Sequence, residues 1–119
     1  MSYNGGCHCG KIAFEVDGKI DSLAECNCTI CSKHGYLHWF VGNDKLHLKT
    51  PQANVGTYTF RTGKYQHHFC PSCGCAPYIT SDEGTSVNVR CLEGVDPSAY
   101  KMTHFDGASL ESSRVGGSG

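Results

Sequence analysis

No stretch of the 119 residues approaches the roughly 20 consecutive apolar side chains that a membrane-crossing helix requires. Nor is there an excess of positive charge. A formal net charge of −1 and a pI near 6.6 give nothing that could neutralise a run of phosphates, so binding to nucleic acid is not expected. The first residues, MSYNGGCHCG, carry no apolar signal segment, and the nine cysteines are odd in number. An exported disulfide scaffold is therefore disfavoured, and the expected setting is the cytoplasm, where thiols stay reduced. Charged residues make up only 18% and hydrophobic residues 39%, while 15 glycines and four prolines imply many turns and short elements. A small loop-rich domain of this kind needs staples, and here metal-bound thiols are the available ones.

What is present reads as β structure. Ile12, Phe14 and Val16 fall on one face at a period of two before Gly18-Lys19, which marks a half-buried strand and a turn. Alternating β-branched and aromatic patterns recur over 36–41, 45–49, 55–61 and 86–92. The spacing predicts one helical turn over Thr29 to His34, stopped by Gly35, and a second short turn after Asp96-Pro97. The expectation is one mainly β domain of antiparallel strands with short helical turns, spanning 1–111. Residues 112–119, small, polar and glycine-rich, are set aside as a flexible tail.

The cysteines come in clusters. Cys7-His8-Cys9-Gly10 and Cys70-Pro71-Ser72-Cys73-Gly74 have the form of metal knuckles, in which two sulfurs converge on one ion and the glycine lets the chain turn behind them. Four thiolates complete a tetrahedron around zinc and leave no place for substrate, which makes a structural site. Cys26-Asn27-Cys28-Thr29-Ile30-Cys31 supplies three thiols. Three ligands keep a fourth position for water or substrate, the arrangement of a catalytic site, and three thiolates donate enough charge to suit thiol activation better than hydroxide formation. Alternatively, Cys75, Cys91, His34 or another histidine closes that site; a non-catalytic zinc module that binds a partner protein is then the reading. Cys75 and Cys91 otherwise read as core.

A reaction at the open site needs a general acid. By residue type the candidates are His34, His38, His67, His68 and Tyr36, and nearness in sequence to Cys31 favours His34 and Tyr36. Arg61, Lys64 and Arg90 are candidates to pair with the carboxylates of a peptide-like thiol. Trp39, Phe40, Phe60 and Phe69 are read as core.

The ordered blocks GGCHCGKIAFEV, CNCTIC, TYTFRTGKYQHHFCPSCG and VNVRCLEGVD resemble the glutathione-dependent formaldehyde-activating enzyme family, which includes centromere protein V, from about Tyr3 to about Gly107. The resemblance implies a β-tent fold, a structural zinc on Cys7, Cys9, Cys70 and Cys73, and a catalytic zinc on Cys26, Cys28 and Cys31, two Zn²⁺ per chain. It also implies condensation of glutathione with formaldehyde to S-hydroxymethylglutathione, which is carbon–sulfur lyase chemistry in reverse. The implied partners are a small thiol such as glutathione and a small electrophile, with no nucleic acid and no membrane.

Overall fold

The computed structural model describes residues 1–60 and 62–107. Arg61, the expected domain limit at 111 and the tail at 112–119 lie outside the described residues.

Among the described residues, ten strands form two sheets. β1 (Ser2–Gly6), β2 (Ala13–Asp17) and β5 (Leu46–Leu48) make a three-stranded antiparallel sheet in the order β1-β2-β5. The larger sheet runs β10-β3-β4-β9-β8-β7-β6, built from β3 (Ser22–Cys26), β4 (His38–Val41), β6 (Gly56–Tyr58), β7 (Gln66–Phe69), β8 (Tyr78–Ser81), β9 (Gly84–Asn88) and β10 (Lys101–Phe105). The expected antiparallel pairing holds except at one edge, where β10 runs parallel to β3, pairing Phe105 with Cys26. Such a pair requires a crossover, and here the whole body of the domain supplies it. No helix among the described residues is long and apolar enough to cross a membrane.

The period-two reading of the first strand is borne out: Ile12, Phe14 and Val16 are 0%, 1% and 0% exposed. They meet Leu23, Leu37, Trp39, Val87 and Val89 of the larger sheet and the turn after it. Each such side chain contributes about 1.5–3 kcal/mol by leaving water. Cys70, also fully buried, belongs to the same core, so the second knuckle is rooted in it.

The helical turn falls where the sequence puts it. α1 spans Thr29–His34; Cys28 caps its start, and Gly35, at φ 67°, adopts the left-handed conformation that ends it. The segment 86–92 is only half strand. β9 stops at Asn88, whose side chain accepts the Arg90 N–H and starts a 3-10 turn over Val89–Cys91. Pro97–Ala99 forms another such turn, capped by Asp96.

Candidate metal centres and their surroundings

The first centre joins two loops distant in sequence. Cys7 and Cys9 follow β1, and Cys70 and Cys73 follow β7. The four sulfurs lie within 4.8 Å of one another. Cys7 and Cys9 are 3.6 Å apart at sulfur, and Cys9 and Cys70 are 3.5 Å apart. A zinc–sulfur distance of about 2.3 Å sets a tetrahedral edge of about 3.8 Å, so the donor set fits such an ion. Gly10 and Gly74, at φ 85° and 84°, turn the chain immediately behind each pair. Backbone N–H groups then point at sulfur: Ile12 N–H donates to Cys7 Sγ at 3.3 Å, and N–H groups of Cys75 and Cys9 pull the Cys73 thiol down to about 5. Cys70 is lowered too, by the N–H groups of Cys73 and Ser72. The Cys70–Cys73 loop thus favours thiolates, whereas at Cys9 the lowering effect of the Lys11 N–H is outweighed by burial and the hydrogen bonds of Cys70, Cys7 and Cys73, which raise it to about 11.

The second centre lies at the end of β3 and the start of α1. Cys26 closes the strand, Cys28 is the helix cap, and Cys31 sits one turn in. Cys28 N–H faces Cys26 Sγ at 3.5 Å, and Cys31 N–H faces Cys28 Sγ at 3.4 Å. Their sulfurs also fall within 4.8 Å of one another, so this group can hold a metal ion as well. Its electrostatics differ. Burial pushes the Cys31 thiol well up, and the neighbouring Cys28 adds to it. Three crowded sulfurs favour the neutral form unless a cation compensates.

Neither Cys75, Cys91 nor His34 joins this triad among the described residues. Cys75 and Cys91 are half-buried on the side of the four-cysteine centre, and burial raises Cys91 to about 11. His34 turns instead to Tyr36, whose Oη lies 2.9 Å from His34 Nδ1 and 3.2 Å from His67 Nδ1. Tyr36 is 2% exposed, packs with Cys31 and Ile79, and sends its N–H to the Cys31 carbonyl at 3.3 Å. A phenol donates one hydrogen bond, so with two Nδ1 partners one ring accepts and the other donates. His67 is held near neutral: burial lowers it to about 4.

Residues 2–104 match the family described as glutathione-dependent formaldehyde-activating enzyme. The chain belongs to this family. Its fold is similar to that in a crystal structure of a Rhodobacter sphaeroides protein, with a TM-score of 0.75 and 28% identity over 87% of this chain and 100% of that one.

Two cavities flank the three-cysteine centre of this formaldehyde-activating family member. The larger, about 640 Å³, is walled by Tyr58, Phe60, Phe69, His67, His68 and His34. Phe60 and Phe69 therefore line a pocket and do not belong to the core, at the end of the sheet where β6 is the edge strand and β7 pairs with it. Phe40 is 67% exposed, its ring stacked on His38; of the four aromatics read as core only Trp39 is buried there. The smaller cavity, about 420 Å³, includes Cys26 and Cys31 themselves, with Tyr36 and Arg90. Lys64 is 3.1 Å from Glu83 and is already paired.

His67 is the residue that sequence distance hid. It sits beside the second knuckle in the chain, yet β7 brings it to Tyr36. The signal was the alternation in Gln66-His67-His68-Phe69, which could have been read as a strand with one histidine on each face.

Proposed function

We propose that this chain is a zinc enzyme of carbon–sulfur bond formation and cleavage, joining a thiol such as glutathione to a small carbonyl such as formaldehyde. The observation that carries the proposal is the contrast between the centres: four thiols close one, and three leave the other with a cavity against its sulfurs. Zinc at the three-thiol group, when bound, lowers the pKa of an incoming thiol and fixes the position of its sulfur.

The rest falls to the protein. The substrate sulfur adds to the carbonyl carbon, the C=O π pair moves to oxygen, and that oxygen takes a proton from Tyr36 Oη. His34, within hydrogen-bond reach, then returns a proton to the phenol, while the neutral His67 holds the phenol in place from its other side. The proton lost by the thiol balances the one gained by the alkoxide, so the net reaction is RSH + CH₂O → RSCH₂OH. In reverse, the phenolate takes the hydroxyl proton and the C–S bond breaks. The four-thiol centre takes no part and holds the two sheets to the knuckles.

Exchange NMR on glutathione and formaldehyde, with zinc-loaded protein at micromolar concentration, tests the proposal. Interconversion with S-hydroxymethylglutathione faster than the uncatalysed rate, and lost in Cys31→Ser, supports it. No acceleration by wild-type protein refutes it.

A further inference from the structure

We infer that the smaller cavity is the subsite for the body of the thiol substrate and that Arg90 binds its carboxylate there. The inference rests on the reading of the three-cysteine centre as a thiol-binding site.

Arg90 is positioned with unusual economy of freedom for an exposed side chain. Its backbone N–H is held by Asn88 Oδ1 at 3.2 Å. Asn88 is 6% exposed and is itself fixed by the Leu37 N–H at 3.3 Å and the Ala76 carbonyl at 3.1 Å. At the other end, Arg90 Nε donates to the Gly35 carbonyl at 3.0 Å, at the residue that ends α1. Both ends being held, the guanidinium plane is set before substrate arrives, which reduces the ordering cost of binding. The terminal Nη groups have no partner among the described residues, and the side chain lines the same cavity as Cys26 and Cys31. Two parallel N–H groups on a fixed plane are the geometry that a carboxylate accepts.

The remaining wall carries Glu25, held by His104 at 3.1 Å, and Asp106, which accepts the Asn27 amide at 3.0 Å. Both carboxylates are engaged by these neighbours, so recognition of the substrate's charge falls to Arg90. A thiol without a carboxylate would reach the sulfurs but leave Arg90 unmatched.

Calorimetric titration of the zinc-loaded full chain with glutathione, glutathione dimethyl ester and 2-mercaptoethanol decides the matter, in wild type, Arg90→Gln and Arg90→Lys. In wild type, glutathione is expected to bind about tenfold more tightly than the diester, the size of one charge-assisted contact near water. Arg90→Gln should erase that difference and leave the Kd of 2-mercaptoethanol unchanged; Arg90→Lys should restore part of it. Equal weakening of all three thiols, or none, would overturn the assignment of Arg90. If no thiol binds the wild-type protein, the reading of the centre beneath it fails instead.

Discussion

Gly107 packs directly against Cys26: a Cβ built on the glycine would stand 2.6 Å from Cys26 Sγ and 3.1 Å from Cys28 Cβ. Gly107 is buried and follows β10, the strand paired in parallel with β3. The parallel edge thus brings a residue without a side chain behind the three-cysteine centre. Gly107→Ala should displace the Cys26 sulfur, lowering zinc affinity at that centre by at least tenfold while the four-cysteine centre keeps its ion. Competition with a chromophoric chelator, which resolves a tight and a weakened site, checks this; two unchanged sites would show that the backbone simply yields.

The two centres differ in what their loss does to the fold. Cys70 is 0% exposed and its knuckle closes a loop back to Cys7, so ion binding there is folding free energy. Cys70→Ser should cost more than about 3 kcal/mol, a large part of the stability of an ordinary domain. Cys31→Ser changes a residue of α1 that packs with Tyr36 and Ile79 outside the main core, and should cost less than about 2 kcal/mol. Urea unfolding of the zinc-loaded variants compares them. Equal destabilisation would end the division into a structural and a reactive centre.

Removing the phenol of Tyr36 should slow turnover without displacing metal. Tyr36→Phe keeps the packing against Cys31 and Ile79 but breaks both histidine contacts. A general acid is worth about 10²- to 10⁴-fold, so kcat is expected to fall by that amount with zinc content unchanged. His67→Gln should have a smaller effect, because His34 can still return the proton.

Stability should fall as the solution is acidified through the histidine range. Burial lowers His38 from 6.5 to about 4, and His67 and His68 move in the same direction. With folded pKa values below the unfolded one, the unfolded chain binds more protons. The stability present above about pH 6.5 is therefore lost as pH drops toward 4. His38, with its Nδ1 on Ser86 Oγ, lies off the proposed proton path. Discounted for partial screening by water, its share is on the order of 1–2 kcal/mol. His38→Gln should flatten the dependence of the urea midpoint on pH between 7 and 5; an unchanged slope would mean that other groups set it.

The pairs Cys7/Cys9 and Cys70/Cys73 were legible because knuckles are local, marked by spacing and a following glycine; that the two pairs meet came from the resemblance and not from spacing. Local signals also marked Phe14 and Val16, whose alternation survives in a half-buried strand, and α1, bracketed by Cys28 and Gly35. β3 was not legible, since Ser-Leu-Ala-Glu-Cys has no β-branched residue and is stabilised by β10 some 80 residues away. β1 was missed for its glycines, yet close approach demands them: a Cβ on Gly5 would meet the Phe14 ring at 2.7 Å. The contact between His67 and Tyr36 depends on sheet order, which no local pattern carries.

The inequivalence of the two zinc centres is tested most directly by the metal content of purified protein. Elemental analysis should find two zinc ions per chain in the wild type and one in Cys31→Ser, with the variant still folded and its interconversion of glutathione adducts lost. A single zinc in the wild type, or two retained in Cys31→Ser with activity intact, would contradict it.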